Sequence, residues 1–493
     1  MRYLNYIAGH WKEGSLSSGN QGEANTNPAN PSEVLGYSTL SSASDVKEAI
    51  SAAAEAQHSW AKTPRPTRGA VLKRAAEIIR ENLESIAKLV TLEEGKNLNE
   101  AKGEVLKTIN SLEFTASEGR RPTGQVIPSE MQNTFVYTTR VPLGVVGIIT
   151  PWNFPICIPA WKIGPALLEG NTVVFKPSGL TPATAVELVK AFEKAGLPPG
   201  VLNLVLGKGS VVGNAIVQDP RIKGISFTGS NEIGTALNAE AAKRLMKVQL
   251  EMGGKNPVIV LADADLDQAA EATVQGAFGS TGQRCTATSR LIVEKSVHTA
   301  LVQKVIDRVR TIKMGNGLAD PTAMGPVVDE YQFKQVLNAI QQAKNEGAKM
   351  LCGEEASNKN PAHGFFIAPT VFDQVTPNMT LAKEEVFGPV LAVIPVENFK
   401  EAIQVANAVD YGLSSSVYTR NIQDVMGYID EIETGMLHVN SPTVGGEVQA
   451  PFGGLKSTGT GGREMGSTGP EFFTELKTVY IDYNSTVRKG NLY

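Results

Sequence analysis

Val145-Val146-Gly147-Ile148-Ile149, Thr172-Val173-Val174-Phe175, Val201-Leu202-Asn203-Leu204-Val205-Leu206 and Gly224-Ile225-Ser226-Phe227 are short, almost unbroken apolar runs. Each reads as a strand covered on both faces. Between them the spacing turns helical, as from Thr181 to Ala195 with Val186, Leu188, Val189 and Phe192. Strand, helix and strand repeated in this way imply a doubly wound parallel sheet. Ligands of such sheets bind beyond the carboxyl ends of the strands, where Lys176 and Thr228-Gly229-Ser230 fall.

Upstream, residues from about Ser44 to Arg120 read as helices. Asp45 with Glu48 three residues on is a start signal, and Leu72, Ala75, Ile79, Leu83, Ile86 and Val90 recur at helical spacing. Downstream, a second alternation runs from Pro257 to about Asn440, with Val258-Ile259-Val260-Leu261 and Leu291-Ile292-Val293 as strands. Thr134-Phe135-Val136-Tyr137-Thr138-Thr139-Arg140 and Lys477-Thr478-Val479-Tyr480-Ile481-Asp482-Tyr483 alternate and stand apart from both. As exposed edges they invite pairing, so they are expected to form an oligomerisation ribbon. A hairpin packed on its own subunit is the other reading.

A chain of 493 residues exceeds one core and implies two or more domains. Forty-six Lys and Arg against 50 Asp and Glu leave a net charge of −4, which argues against nucleic-acid binding. The start lacks a signal-peptide pattern, and no run approaches the roughly 18 apolar residues that span a bilayer. A cytoplasmic protein without a membrane partner is expected. Three scattered cysteines (Cys157, Cys285, Cys352) fit neither a disulfide framework nor a zinc site, and the five histidines have no metal spacing. No metal is expected.

Three residues stand out chemically. Cys285 follows Gly282-Gln283-Arg284, and as a free thiol it would be mostly protonated near neutral pH unless a helix N-terminus or a cationic cofactor ring activated it. Glu251 ends the apparent strand Val248-Gln249-Leu250 before Gly253-Gly254, a backbone able to approach a ligand closely. Burial there would raise its pKa toward that of a general base. Asn153, in Thr150-Pro151-Trp152-Asn153-Phe154-Pro155, follows a strand in a turn stiffened by two prolines; it reads as a fixed amide donor or as a cap on the next helix. Phe227 to Gly234 joins a strand to a helix, a place where backbone N–H groups meet phosphate. The Gly-x-Gly at Gly207 and Gly209 is weak by itself.

Glu251-Met252-Gly253-Gly254-Lys255-Asn256-Pro257 and Phe278-Gly279-Ser280-Thr281-Gly282-Gln283-Arg284-Cys285, with the Pro-Trp-Asn-Phe-Pro segment, resemble the signatures of the aldehyde dehydrogenase superfamily. The likeness spans essentially the whole chain, in family order. It implies an α/β fold of two doubly wound domains with a β-ribbon: residues 1–120 and 143–253 for the cofactor, 254–457 for catalysis, 121–142 and 470–493 for oligomerisation into a dimer or tetramer. It implies Cys285 as nucleophile, Asn153 as oxyanion donor and Glu251 as the base that hydrolyses a thioester. The cofactor residues would be Trp152, Lys176, Ser178, Gly179, Gly209, Phe227, Gly229 and Ser230. To these Lys383-Glu384-Glu385-Val386-Phe387 adds Glu385 on the nicotinamide ribose and Phe387 against the ring. Phe154, Trp161, Arg284 and Phe452 would line the substrate pocket.

Two departures from the family pattern matter. Gly179 replaces a Glu that normally holds the adenosine ribose hydroxyls, so NADP is expected beside NAD and in preference to it. Thr458 stands where Ser is usual, in a Gly-rich tail with an extra glycine, and no function is drawn from it. Presence of Glu251 disfavours a coenzyme A-acylating relative, and no His is signalled beside Cys285 for a phosphorylating one. A non-enzymatic role would predict loss of Cys285 or Glu251. Trp161 occupies the place where succinic-semialdehyde dehydrogenases tend to have Arg. Ser280 to Thr286 and Val439-Asn440-Ser441-Pro442-Thr443 look like bacterial α-ketoglutaric semialdehyde (2,5-dioxopentanoate) dehydrogenases, with Arg284 a candidate carboxylate partner. Broad oxidation of aromatic or aliphatic aldehydes is the alternative.

Overall fold

The structure is a computed structural model and describes residues 1–17, 21–353 and 363–484. Two sheets dominate it. The first has eight strands, in the order Gly459–Thr460, Lys247–Glu251, Ile222–Thr228, Val145–Ile149, Thr172–Lys176, Leu202–Leu204, Asn5–Ile7, His10–Lys12. The five from Lys247–Glu251 to Leu202–Leu204 are parallel, and the outer strands add antiparallel. All four apolar runs of the sequence lie here, their side chains buried because helices cover both faces. The strand order reverses between Val145–Ile149 and Ile222–Thr228, which opens a crevice at their carboxyl ends.

The second sheet runs Lys349–Cys352, Thr370–Asp373, Val390–Val396, Thr288–Glu294, Asn256–Val260, Ser414–Tyr418, Met436–Val439, parallel except for its first pair. Only Met252 to Lys255 separate the end of Lys247–Glu251 in one sheet from the start of Asn256–Val260 in the other. That short link sets the exit end of the first sheet against the starting end of the second.

Four helices, Ala43–Lys62, Arg65–Glu81, Leu83–Glu94 and Leu98–Glu118, fill the expected helical region, with Leu72, Ala75, Ile79, Ile86 and Val90 buried. The first starts one turn earlier than Asp45 suggested. Ser42 is the cap, its hydroxyl accepting from Ser44 N, and Asp45 reaches back to Ser42 N at 2.8 Å, so the aspartate is the third residue of the capping box. A small sheet of Arg2–Tyr3, Asn30–Ser38 and Glu23–Asn27 carried no signal in the sequence analysis.

Thr134–Pro142 and Thr474–Asp482 pair antiparallel along their full lengths, and Val126–Ile127 adds to the former. The two alternating segments are therefore each other's partners within one chain. Phe135, Leu476, Tyr480 and Ile481 remain exposed on the ribbon. Residues 485–493 of the segment assigned to oligomerisation lie outside the described residues.

Candidate active site

Cys285 follows an unusual backbone. The helix Leu266–Phe278 ends at Gly279, and Ser280, Thr281 and Gly282 then take φ values of 49°, 58° and 69°. Left-handed backbone at a β-branched residue costs of order 1–3 kcal/mol and persists only where the surroundings enforce it. Here they do: Ser280 N donates to Glu100 Oε1 at 2.6 Å, Thr281 Oγ1 to the Gly325 carbonyl at 3.0 Å, and Arg284 Nε to Ser280 Oγ at 3.0 Å. The chain then enters the strand Thr288–Glu294, and Asn256 Nδ2 holds the Cys285 carbonyl at 2.8 Å.

The thiol packs in an apolar cluster with Cys157, Trp161, Leu413, Phe452, Met465 and Phe154. Burial, and then the charges of Glu251 and Glu385, push it up to about 12. The helix N-terminus that the sequence offered as an activator is not there, because Cys285 lies between a turn and a strand. Activation has to come from a base or from positive charge brought in with the cofactor.

Asn153 is buried in the turn leaving Val145–Ile149. Its Nδ2 donates to the Gln283 carbonyl at 3.0 Å. It does not cap the next helix, which starts at Cys157 behind Ile156. The turn is held from below by a buried ion pair. Lys96 Nζ donates to the Asn153 carbonyl at 2.6 Å and to Glu104 Oε2 at 2.7 Å; Glu104 Oε1 accepts from the Ile156 and Cys157 N–H groups at 3.0 and 3.2 Å. Lys96 Nζ also lies 4.1 Å from the centre of the Phe154 ring.

Glu251 ends its strand buried, between Thr228 and Gly459 in register. A β-carbon at Gly453 would stand 2.6 Å from its Oε1, so only glycine fits there. Among the described residues nothing hydrogen-bonds its Oε2. Burial first, and then the charge of Glu464, raise this carboxyl well above the ordinary carboxylate range, with Lys162 and Arg463 offsetting part of the effect. Glu464 is itself buried. It pairs with Lys162 Nζ and accepts from Trp161 Nε1 at 2.7 Å, while Lys162 also donates to Ser226 Oγ at 2.8 Å.

The cofactor candidates gather at the crevice. Trp152 and Phe387 meet edge to face, ring centres 5.4 Å apart, and Phe387 has φ 54°. Glu385 Oε1 accepts from Gly254 N at 2.9 Å, and burial pushes its carboxyl up to about 7. Lys176 is buried at its strand end, donates to the Pro177 carbonyl at 2.8 Å, and is driven down to about 8 by burial. Ser178 Oγ accepts from Leu180 N at 3.2 Å. Gly209 opens a π-helical turn, Gly209–Gly213, where a β-carbon would stand 3.9 Å from Lys176 Cε. Phe227 is buried, and a β-carbon at Gly229 would press on its ring. Ser230 caps the helix Asn231–Ala242. Thr228 Oγ1, just before that helix, is buried without a hydrogen-bond partner among the described residues. A helix start, a spare hydroxyl and a buried lysine at a switch point fit a dinucleotide phosphate.

In the pocket, Trp161 lies 5.5 Å from Phe452 between ring centres, with its N–H committed to Glu464. The Arg284 guanidinium is held by Ser280 and paired with Glu100 at 3.4 Å. Lys96, Glu104, Lys162 and Glu464 were missed in the sequence. So was Thr458, which is fully buried: its Oγ1 donates to the Gly253 carbonyl at 2.9 Å and accepts from Gly412 N at 3.0 Å, tying the loop after Glu251 to the short strand Tyr411–Gly412. Only its place in the Gly-rich tail marked it.

The aldehyde dehydrogenase family matches residues 16–479. The alpha-ketoglutaric semialdehyde dehydrogenase of Bacillus subtilis (strain 168) is 46% identical over 480 residues, covering 97% of this chain and 98% of its own. The 2,5-dioxopentanoate dehydrogenase of Saccharolobus solfataricus is 45% identical over 483 residues, covering 97% and 99%. Among solved structures, the NAD-dependent aldehyde dehydrogenase from Sinorhizobium meliloti superposes with a TM-score of 0.95 at 34% identity, covering 99% and 96% of the two chains. An NADP-dependent enzyme of E. coli gives 0.94 at 35% identity, covering 98% of each. The chain belongs to the aldehyde dehydrogenase family, and is an NAD(P)-dependent enzyme that oxidises an aldehyde to a carboxylic acid.

Proposed function

We propose that Cys285, Asn153 and Glu251 perform this oxidation in two stages. Cys285 Sγ bonds to the aldehyde carbon as its proton passes to water, and the carbonyl π electrons move onto the oxygen. The Asn153 amide and the Cys285 N–H face the new oxyanion, and one such donor is worth roughly 2.7–4 kcal/mol. Trp152, Glu385 and Phe387 would hold a nicotinamide, which would supply the hydride acceptor that the Cys285 adduct needs to become a thioester. Glu251 then removes a proton from water as the water oxygen bonds to the thioester carbon, and the C–S bond breaks to free the acid and Cys285. The observation carrying this reading is the buried Glu251 carboxyl, whose Oε2 has no hydrogen-bond partner among the described residues.

The substrate we infer is 2,5-dioxopentanoate, supported by the relatives named for it and by the segments around Cys285 and Val439. Its carboxylate would compete with Glu100 for the Arg284 guanidinium. The apolar lining of Trp161, Phe452 and Phe154 around Cys285 favours a second reading, broad oxidation of aromatic or aliphatic aldehydes. Comparing kcat/KM for the dioxo acid and for benzaldehyde decides between them; a clear preference for benzaldehyde would remove the acid as favoured substrate.

NADP is accepted with NAD and preferred to it on this reading. A carboxylate at position 179 would face a 2′-phosphate at ~4 Å, costing roughly 4 kcal/mol at an effective dielectric of about 20. Gly179 lacks it, while Lys176 and Ser178 lie beside it. Gly179→Glu should move the NADP/NAD ratio of kcat/KM strongly toward NAD, and an unchanged ratio would end the idea. Residues 1–120 and 143–253 would serve the cofactor and 254–457 catalysis. The protein would be cytoplasmic, and the exposed ribbon face would join a homodimer or homotetramer, an assembly that the mass from sedimentation equilibrium would test.

A further inference from the structure

The adenosine ribose of NAD presents hydroxyls that need an acceptor, and position 179 has no side chain to give one. Through space, another segment comes near. A β-carbon at Gly179 would lie 3.8 Å from Oε2 of Glu23, which opens the strand Glu23–Asn27. That strand is paired in register with Asn30–Ser38, Glu23 opposite Ser38, so the backbone carrying the carboxylate is fixed. Lys176 senses the same charge: Glu23 is the group that opposes the downward push of burial on its ammonium. One carboxylate therefore faces both the vacant side-chain position and the buried cation of the crevice.

We propose that Glu23 is a cofactor-specificity residue, accepting a hydrogen bond from the 2′-hydroxyl of NAD and opposing the 2′-phosphate of NADP. This rests on the assignment of the Lys176–Gly179 corner to the adenosine ribose. Glu23 is exposed, unlike a carboxylate rooted in the crevice. Its charge acts partly through water and its side chain can turn aside, so it weakens the preference for NADP that Gly179 allows without reversing it. The N-terminal sheet thereby tunes a site built by the large sheet.

The experiment is calorimetric titration of the purified protein with NAD and with NADP, reading Kd without turnover, for wild type and Glu23→Gln. The Gln variant should shift the Kd ratio toward NADP by about tenfold, and raising salt should shrink the difference between the two proteins. An unchanged ratio, with both cofactors still bound, overturns the role of Glu23 alone. Failure of the wild type to bind either cofactor overturns the cofactor assignment and this role with it. Loss of NAD binding in Gly179→Glu would relocate the ribose and also overturn it.

Discussion

Asn153 Nδ2 donates to the carbonyl of Gln283, two residues before Cys285, at 3.0 Å. One hydrogen bond thus ties the turn leaving the first sheet to the loop that carries Cys285 toward the second. An amide nitrogen carries two hydrogens, so the bond that positions Asn153 leaves the other hydrogen for an oxyanion. Asn153→Ala should lower kcat by about 10²–10³-fold at saturating aldehyde, measured by initial rates; a change below fivefold would remove Asn153 from the oxyanion site.

Division of labour is visible in the first turnover. Glu251→Gln should still reduce one equivalent of cofactor and then stall, while Cys285→Ala should give neither burst nor steady rate. Stopped-flow absorbance of the reduced nicotinamide reads both. If the two variants lose the first turnover equally, Glu251 does not act only after acylation.

Glu251 should also cost the fold stability as pH rises. Its folded pKa is raised above the unfolded value by burial. At pH below the ordinary carboxylate range both states keep the proton. As pH climbs, the unfolded chain ionises first, and stability is lost until the folded carboxyl ionises too. Glu251→Gln escapes this, so its Tm should exceed that of wild type by roughly 2 °C or more at pH 8, with a smaller gap at pH 5. Calorimetric scans at the two pH values test it, and a gap that narrows as pH rises would contradict it.

Glu464 is the like charge that acts most on Glu251, and its partner Lys162 is the leading opposite one. In Glu464→Gln the repulsion goes and Lys162 loses its partner, and both changes favour the Glu251 carboxylate. The acid limb of the hydrolysis rate should move to lower pH, while breaking the buried pair costs about 3–5 kcal/mol of stability. A pH profile of steady-state turnover beside a denaturant titration separates the two effects; an acid limb that stays in place would refute the coupling.

The large sheets were legible because their strands are buried on both faces and read as unbroken Val, Ile and Phe runs. Cys285, Glu251 and Asn153 stood out as candidates because each has a local signature. Glu464 was not: Lys162 lies in a helix some three hundred residues earlier, and nothing near either residue announces the pair. Shorter but still non-local separations, 57 residues in the second case, hid Glu23 from Gly179 and Lys96 from Asn153. The strand Glu23-Ala24-Asn25-Thr26-Asn27 near the chain start is polar at all but Ala24, and carries no period to read. Pairing across sequence distance is a property of the fold, and local composition does not encode it.

The ribbon has a consequence for biosynthesis. Thr134 pairs with Asp482 and Pro142 with Thr474, so the first strand emerges from the ribosome more than three hundred residues before its partner exists. Non-local pairing of this kind is slow, and during elongation Thr134–Pro142 waits with one edge unpaired and Phe135 and Val136 available to other chains. Chaperone dependence and losses to aggregation during expression should therefore concentrate in this nascent strand, outside the segments that carry Asn153, Glu251 and Cys285.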